Sequence, residues 1–255
     1  MIMAPVLPCN ARSPQPGASV RLAVVHGRPV VDQVRINGRG PYRFLLDTGA
    51  QTNQLQAGLV RELGLQASFQ VALDTAAGTM RVKGGRVDSL SLGTAVAMNQ
   101  ELLFTSLDEV HALLPEIQGV VGQEFLSNLD YLLDFGNHRL LFDAEPPEGL
   151  RTPIRIIDGR PAIQTSEGWL VLDSGTDTVV LHRAGRGESG LIRTASGFAA
   201  VPTMRGLRIT IGDRGFRPAL AEFAPLSPLR EDGQLPACLF RAVYLSLSGK
   251  YVVLQ

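Results

Sequence analysis

Residues 44–50 read Phe-Leu-Leu-Asp-Thr-Gly-Ala, and residues 170–176, Leu-Val-Leu-Asp-Ser-Gly-Thr, repeat the same pattern. In each stretch an apolar run of strand character ends in an aspartate, a small hydroxyl residue and a glycine. The aspartates, Asp47 and Asp173, are 173 − 47 = 126 positions apart, about the length of one compact lobe. If the fold joins these strand ends, the two carboxyl groups share a proton and can act together as acid and base.

Three further segments recur in the same order after each aspartate turn, which indicates a duplicated chain. The matching pairs are residues 75–79 with 194–198, 85–93 with 205–212, and 119–126 with 233–240. Each copy then continues into a hairpin-like ending. A single block of apolar residues and glycine is common in β proteins, so the inference rests on the shared order of four blocks.

A polar, Pro-rich stretch at residues 144–149, Ala-Glu-Pro-Pro-Glu-Gly, separates the two copies. Such a stretch does not continue a strand and is typical of a linker. Residues 1–19 lack the basic start and the long apolar core of an intact signal peptide. We therefore expect a disordered leader at 1–19, a first lobe at 20–143, a linker at 144–151 and a second lobe at 152–255.

The composition restricts both the fold class and the partners. The chain has 255 residues, 45% of them hydrophobic, which is enough for one large core or two smaller ones. Its 27 glycines and 16 prolines, with many valines and leucines, favour short strands joined by turns, and so an all-β fold. Basic and acidic residues balance at 24 each without a basic stripe, so we expect no nucleic-acid partner. No apolar run reaches the roughly 20 residues of a membrane span.

Local patterns predict elements of the first lobe. Residues 30–36 and 42–46 form two strands joined by an Asn-Gly turn, and the second strand delivers Asp47. Short helices are predicted at residues 57–63, which a glycine follows, and at residues 123–128.

The second lobe has no counterpart of the first helix, and we expect a loop at residues 184–190 in its place. Residues 185–190 match the dinucleotide-binding pattern Gly-x-Gly-x-x-Gly, but no helix pattern follows, so we do not interpret them as a nucleotide site. The four histidines are scattered without the spacing of metal ligands, so we expect no bound metal.

Residues next to the two aspartates have roles that follow from their chemistry. The hydroxyls of Thr48 and Ser174 can hydrogen-bond across the two turns and fix their relative orientation. Gly49 and Gly175 let the backbone approach the carboxylates closely and present amide donors to them. Gly122, in an apolar-apolar-glycine block, allows another segment to approach the first aspartate strand. Two such turns at matching places favour a catalytic pair over two unrelated local turns.

The pattern resembles the aspartic protease clan, in particular bacterial retropepsin-like proteins that carry both lobes in one chain. The resemblance rests on the two aspartate turns, residues 75–78 and residues 120–122, and it covers the chain from residue 20 onward. It implies the all-β acid-protease fold, with two pseudo-symmetric β-barrel lobes and a cleft between them. A psi-shaped loop would enclose each aspartate strand, at Gly122 in the first lobe and at Pro236 in the second.

The same resemblance implies a glycine-tipped hairpin, or flap, that closes over the substrate in each lobe. The flap residues would be Ala76, Ala77, Gly78 and Thr79 in the first lobe, and Ser196 and Gly197 in the second. Three departures from the family pattern stand out. The first flap has no tyrosine, unlike that of pepsin-type proteases, and Pro236 replaces the glycine of the second psi-shaped loop. The second lobe also has its own glycine-tipped hairpin, at Ser196 and Gly197, which is closer to the symmetric retroviral arrangement.

The resemblance implies an aspartic endopeptidase in which Asp47 and Asp173 activate water by general acid–base catalysis. One carboxylate would take a proton from water while the other, protonated, polarises the peptide carbonyl, and no covalent intermediate would form. The substrate would be a peptide or protein, and no cofactor is implied. Since one chain supplies both aspartates, we expect a monomer. Relatives usually face the cell envelope or periplasm or are secreted, which favours such a location although no intact signal peptide is seen.

Two other functions use the same residues. A peptide-binding module with weak or absent turnover is favoured by Pro236 and opposed by the retention of both aspartates. The turn at residues 173–178 also resembles the phosphate-binding hairpin of actin-like ATPases and sugar kinases. Those folds need longer chains, more helix and a downstream glycine-rich adenosine loop, which this sequence does not show.

Overall fold

The computed structural model describes residues 19–75, 78–185, 188–194, 197–204, 206–224 and 229–255. Most of the predicted leader, together with Ala76, Ala77 and Ser196 of the predicted flaps, lies outside these residues. The described part of the chain consists mainly of strands, which confirms the predicted all-β fold class. No helix in it is long and apolar enough to cross a membrane.

The described residues of the first half form ten strands: β1 Ser19–Val25, β2 Arg28–Ile36, β3 Arg39–Leu46, β4 Asn53–Gln56, β5 Phe69–Thr75, β6 Gly78–Leu92, β7 Ala95–Thr105, β8 Gly119–Val121, β9 Tyr131–Asp134 and β10 Arg139–Phe142. Three short helices lie among them: α1 Ala57–Leu63, α2 Asp108–His111 and α3 Gln123–Leu126. The helix predicted at residues 57–63 is confirmed, and it ends at Gly64 with a left-handed φ of 70°. The helix predicted at residues 123–128 is two residues shorter, and α2 has no counterpart in the sequence predictions.

The described residues of the second half form twelve strands: β11 Leu150–Ile157, β12 Arg160–Thr165, β13 Gly168–Asp173, β14 Val179–Leu181, β15 Glu188–Thr194, β16 Gly197–Met204, β17 Ile209–Ile211, β18 Arg214–Phe216, β19 Leu220–Glu222, β20 Gly233–Pro236, β21 Ala242–Ser246 and β22 Tyr251–Leu254. A 3-10 turn, Ala237–Leu239, follows β20. The loop predicted at residues 184–190 is wrong in its last three residues. They belong to β15 and pair with residues 201–203 of β16, so this hairpin is longer than the pattern indicates.

The two halves repeat one strand arrangement, which places both aspartates alike. In the first half β2 and β3 form an antiparallel hairpin, and β3 lies parallel to β8, with Leu46 beside Val121. In the second half β12 and β13 form the hairpin, and β13 lies parallel to β20, with Leu172 beside Leu235. β8 pairs in turn with β4, and β20 pairs with β14. We refer to the unit from β2 to β8 as the first lobe and to the unit from β12 to β20 as the second lobe.

A long hairpin extends from each lobe at the place predicted for a flap. β5 pairs with β6 as far as Gly78, and β15 pairs with β16 as far as Gly197. The two residues that close each hairpin, 76–77 and 195–196, lie outside the described residues. Gly78 and Gly197 thus occupy the same position in the two hairpins.

An antiparallel sheet with strands from both halves joins the lobes. Its strand order is β1-β10-β9-β21-β22-β11. In the central contact between the halves, Leu133 of β9 pairs with Val243 of β21, and both side chains are fully buried. β1 and β11 each run from this shared sheet into their own lobe, where they pair with β2 and β12. β11 begins at Leu150, inside the segment predicted as a linker at residues 144–151.

Left-handed turns shape the hairpins that lead to the aspartate strands. The turn at residues 37–38 has φ angles of 50° and 74°, as the type I′ turn predicted by Asn-Gly requires. The turns at residues 26–27 and 158–159 show the same pattern, with φ angles of 50° and 76° and of 47° and 78°. These two equivalent turns start β2 and β12 in the same way.

We expect Leu133→Ala to lower the free energy of unfolding by about 2–5 kcal/mol, because it removes a fully buried side chain from the shared sheet. Urea denaturation measures this loss. Leu229→Ala makes the same change at a side chain that is 41% exposed, and it should cost about 0.5 kcal/mol or less. Equal losses in the two variants would contradict a central role for the shared sheet.

Candidate active site

The two aspartates lie at the ends of β3 and β13, on turns that face each other. A β-carbon added at Gly49 would overlap the carboxyl atoms of Asp173, and one added at Gly175 would overlap those of Asp47. Each carboxyl group also affects the pKa of the other, as two titratable groups in close proximity do. The fold thus brings the aspartates together, and glycine follows closely after each because the opposite carboxyl occupies the space of a side chain.

Crossed hydrogen bonds of the two hydroxyl residues tie the turns together. The Thr48 amide donates to Oγ of Ser174 at 3.0 Å, and the Ser174 amide donates to Oγ1 of Thr48 at 3.0 Å. The Thr48 hydroxyl donates to the Leu172 carbonyl at 2.6 Å. The Ser174 hydroxyl donates to the Leu46 carbonyl at 2.7 Å. Both side chains are fully buried, so breaking any of these bonds would leave a costly unpaired group, and the four together fix the turns relative to each other.

Backbone amides stabilise the two carboxylates unequally. Oδ1 of Asp47 accepts the amides of Gly49 at 2.8 Å and Ala50 at 3.1 Å. Oδ1 of Asp173 accepts the amide of Gly175 at 2.7 Å. Hydrogen bonds to the charged form of a carboxyl group favour that form. Asp47 is therefore the better placed of the two to carry negative charge.

Burial raises the pKa of both carboxyl groups. Asp173 is 7% exposed, and burial raises its pKa well above the ordinary value of 3.8, with a further rise from the charge of Asp47. Burial also raises the pKa of Asp47, but the hydrogen bond from Asp173, the two backbone amides and the charge of Arg28 oppose that rise. The pair therefore retains a proton at pH values where an ordinary aspartate is ionised.

Gly122 packs directly against the turn that follows Asp47. A β-carbon at this position would overlap the carbonyl oxygens of Ala50 and Thr52. The Gly122 amide donates to Oδ1 of Asn53 at 2.9 Å. The close approach expected at the apolar-apolar-glycine block is therefore present in the first lobe.

Pro236 occupies the position of Gly122 in the second lobe. The pairing of β4 with β8 and of β14 with β20 equates Val179 with Asn53, the residue that accepts the Gly122 amide. Pro236 has no amide hydrogen to donate, and Val179 has no side-chain acceptor. The second lobe therefore lacks both the donor and the acceptor of this hydrogen bond, and neither group is left without its partner. The replacement therefore leaves no orphaned partner beside Asp173.

Gln123 is a supporting residue that sequence reasoning missed. Its Nε2 donates to the Thr48 carbonyl at 2.8 Å, and the residue is 2% exposed. The second lobe has Ala237 at the corresponding position, which cannot make this bond. The one sequence signal is the place of Gln123 directly after Gly122.

Two arginines next to the aspartate turns are also absent from the sequence predictions. They belong to a repeated Gly-Arg-Pro at residues 27–29 and 159–161, a further block of the duplication. Arg28 is 8% exposed and donates to the Gly175 carbonyl at 2.8 Å across the lobes. The charge of Arg160 opposes, as a smaller effect, the rise in the pKa of Asp173.

The predicted flap residues are only partly described. Gly78 and Thr79 begin β6 and Gly197 begins β16, whereas Ala76, Ala77 and Ser196 lie outside the described residues. Within the described part of the chain, no group of three His, Cys, Asp or Glu side chains is placed to hold a metal ion.

Comparisons with known proteins agree with the resemblance seen in the sequence. A family model described as aspartyl protease matches residues 31–125, a segment that contains the first aspartate turn and Gly122. Among solved structures, a retropepsin-like aspartic protease from Rickettsia conorii is similar over 54% of this chain and 96% of that chain, with 14% sequence identity and a TM-score of 0.36. No curated protein matches this chain. The family-model match confirms the resemblance to aspartic proteases over residues 31–125, in the first half of the chain.

We expect Thr48→Ala to lower the free energy of unfolding by about 2–4 kcal/mol, because it breaks two buried hydrogen bonds and leaves the Ser174 amide unpaired. Thr48→Ser keeps the hydroxyl and should cost about 1 kcal/mol. Urea denaturation of both variants makes the comparison. A Thr48→Ala variant no less stable than Thr48→Ser would show that the crossed bonds do not hold the turns.

The raised pKa of Asp173 makes stability depend on pH with a definite sign. Because the pKa is higher in the folded protein, the stabilisation is complete below the unfolded value of 3.8 and is lost as the pH rises through the folded value. Asp173→Asn cannot ionise, so it should flatten this dependence and raise the free energy of unfolding at pH 7. The gain should be about 1 kcal/mol or more, since one pKa unit corresponds to about 1.4 kcal/mol.

Urea denaturation at several pH values between 3 and 8 tests this expectation. The matched control is Asp88→Asn, the same change at an exposed aspartate on β6. An Asp173→Asn variant that is less stable than the wild type at pH 7 would contradict the raised pKa.

Proposed function

We propose that this chain, which matches the aspartyl protease family over residues 31–125, is an aspartic endopeptidase. The observation that carries the proposal is the reciprocal contact of the two turns, in which Gly49 faces the Asp173 carboxyl and Gly175 faces that of Asp47. Two carboxyl groups held this closely share a proton, which is the device known from aspartic proteases. The family match alone supports a protease-type function in general, and the paired carboxyls point to the mechanism.

In the proposed reaction Asp47 acts as the base and Asp173 as the acid. Asp47 takes a proton from a water molecule as the water oxygen attacks the peptide carbonyl carbon, and Asp173 protonates the carbonyl oxygen. The product of this step is a neutral tetrahedral diol. Asp47 then gives its proton to the amide nitrogen as the C–N bond breaks, and the diol returns a proton to Asp173. Both carboxyl groups end in their starting states.

The neighbouring residues would keep this geometry fixed during the reaction. The crossed bonds of Thr48 and Ser174 prevent the two turns from moving apart. The amides of Gly49 and Gly175 hold one oxygen of each aspartate in place. A site that is positioned before the substrate arrives does not lose free energy to reorganisation in the transition state.

The substrate would lie extended between the lobes, covered by the hairpins β5–β6 and β15–β16. The backbone of the flap residues would add strand-like hydrogen bonds to a peptide, which gives affinity without demanding a particular side chain. These flap residues are Ala76, Ala77, Gly78 and Thr79, with Ser196 and Gly197. Because both aspartates come from one chain, a single copy would form the complete site, and we propose a monomeric enzyme.

The alternatives receive less support from the site. In the sequence, Pro236 favours a non-catalytic peptide-binding module, but its missing amide hydrogen is matched by the missing acceptor at Val179. A phosphate-binding turn at residues 173–178 is opposed by electrostatics, because Gly175 lies against the Asp47 carboxyl and its amide already binds Asp173. Two carboxyl groups would repel a phosphate there.

We expect the purified protein to cleave a mixed peptide library at mildly acid pH, with inhibition by pepstatin-like compounds. Asp47→Asn and Asp173→Asn should each reduce kcat by a factor on the order of 1,000 or more, because each removes one of the two proton-transfer groups. Mass spectrometry of the library measures cleavage. Asp213→Asn, at an exposed position between β17 and β18, should retain wild-type activity. Cleavage that survives in both dyad variants would refute the proposal.

A further inference from the structure

The two lobes carry the same arginine in the same place, but the two arginines bind different partners. Arg28 and Arg160 each follow a left-handed hairpin turn, at residues 26–27 and 158–159. Both turns lie close to the aspartate turn of the other half. A β-carbon at Gly27 would lie 3.5 Å from the β-carbon of Asp177, and one at Gly159 would lie 3.5 Å from Cγ of Gln51.

Arg28 crosses from the first lobe to the aspartate turn of the second. Its Nε donates to the Gly175 carbonyl at 2.8 Å, and its Nη1 donates to Oδ2 of Asp177 at 3.1 Å and to the His26 carbonyl at 3.0 Å. Gly175 itself lies against the Asp47 carboxyl. The buried Arg28 guanidinium thus holds the turn that carries Asp173, and the same turn packs against the carboxyl group of Asp47.

Arg160 does not make the matching contact. Gln51 and Asp177 are equivalent, since each lies four residues after its aspartate, but glutamine offers Arg160 no negative charge. Arg160 instead donates to Oε1 of Glu231 at 2.9 Å within its own lobe. Glu231 is 4% exposed, so this is a buried ion pair. The guanidinium of Arg160 is thereby diverted from the first aspartate turn.

We propose that Arg28 is a positioning residue for the second aspartate turn, and that the diversion of Arg160 to Glu231 makes the pair asymmetric, with Asp47 ionised and Asp173 protonated. This inference deepens the proposed protease function and rests on it. Of these two equivalent arginines, Arg28 contacts the aspartate turn of the other half and Arg160 contacts Glu231, and this difference distinguishes the base from the acid.

The charged groups around the pair agree with this assignment. Arg28 lies on β2, and its charge acts on Asp47. The other charged or ionisable groups near the Arg28 guanidinium are Asp177 and the Cys238 thiol. Arg160 lies on β12, and its charge acts on Asp173, but the ion pair with Glu231 offsets that charge. Oδ2 of Asp158 lies 4.0 Å from Nη2 of Arg160, and His182 lies near the Arg160–Glu231 pair. The clamp on Gly175 and the second backbone amide on Asp47 both stabilise charge on Asp47 rather than on Asp173.

Arg28→Met and Asp177→Asn remove the clamp from its two sides. Each should lower kcat about tenfold or more, with less than about a twofold change in KM, because the turn is misplaced while the peptide contacts remain. In Arg28→Met the acid limb of the kcat/KM profile should move to higher pH, since Asp47 loses a favourable charge. Arg28→Lys keeps the positive charge but not the planar set of guanidinium donors. It should leave the acid limb of the kcat/KM profile at its wild-type pH and still lower kcat.

Amide hydrogen exchange gives a readout that does not depend on activity. Arg28→Met should reduce protection at the amides of Ser174 and Gly175 about tenfold or more, and leave that of Gly49 within about twofold. The control Arg86→Met removes an exposed ion pair with Glu101 and should change neither exchange nor kcat.

A gain-of-contact variant tests the asymmetry from the other lobe. Gln51→Asp combined with Glu231→Gln gives Arg160 an acidic partner across the cleft and removes its present one. Protection of the Gly49 amide should rise about threefold or more, toward that of Gly175.

The outcomes separate the two proposals. An inactive wild type would refute the protease function, and the exchange measurements would still decide whether Arg28 orders the second turn. An active wild type whose kcat, acid limb and turn protection are unchanged in Arg28→Met and Asp177→Asn would overturn the positioning role. If the combined Gln51 and Glu231 variant leaves the first turn unchanged, the explanation of the asymmetry is wrong.

Discussion

Two carboxyl groups held close together inside a protein cannot both be ionised at low cost, and most features of this site follow from that constraint. The pair is tolerated because it keeps a proton and because Asp47 receives two backbone amides. To hold the carboxyls so close, the chain must place glycine after each aspartate and must stop the turns from separating. The crossed bonds of Thr48 and Ser174 accomplish the second task at fully buried positions.

The duplicated architecture brings the pair together, and local differences between the copies then distinguish its members. The shared sheet fixes the lobes relative to each other, so that β3 and β13 end face to face. Gln123 supports the first turn from behind, whereas the second turn has Ala237 in that place and is held by Arg28 from the opposite lobe. The near symmetry of the two halves thus brings the carboxyl groups together, and its local loss would give the two aspartates the proposed roles of acid and base.

The sequence predicts much of this arrangement because the chain is duplicated and each local pattern occurs in both halves. The paired turns, the hairpins ending at Gly78 and Gly197, and helix α1 all follow from short local patterns. The length of the β15–β16 hairpin does not, because its first residues form a glycine-rich stretch without alternation, and pairing with β16 makes them a strand. The Arg28 contact is equally hidden, since its partner Asp177 lies 149 positions away and meets it only when the lobes dock.

Pro236 shows why the effect of a single unexpected residue cannot be judged alone. At the level of sequence it removes an expected glycine and a backbone donor. The strand pairing shows that Val179 has replaced the matching acceptor, so no polar group has lost its partner. Pro236 and Val179 are far apart in the sequence, and the pairing of β14 with β20 shows that they take the places of Gly122 and its acceptor Asn53.

If Asp47 and Asp173 share one proton that Asp173 holds, the two carboxyl groups titrate as a coupled pair. Carbon-13 NMR of aspartate carboxyl groups, followed through a pH titration and assigned with the two asparagine variants, tests it most directly. We expect two separate apparent pKa values for the pair, with Asp173 protonated well above the ordinary value of 3.8. Two carboxyl groups that titrate independently near that ordinary value would contradict it.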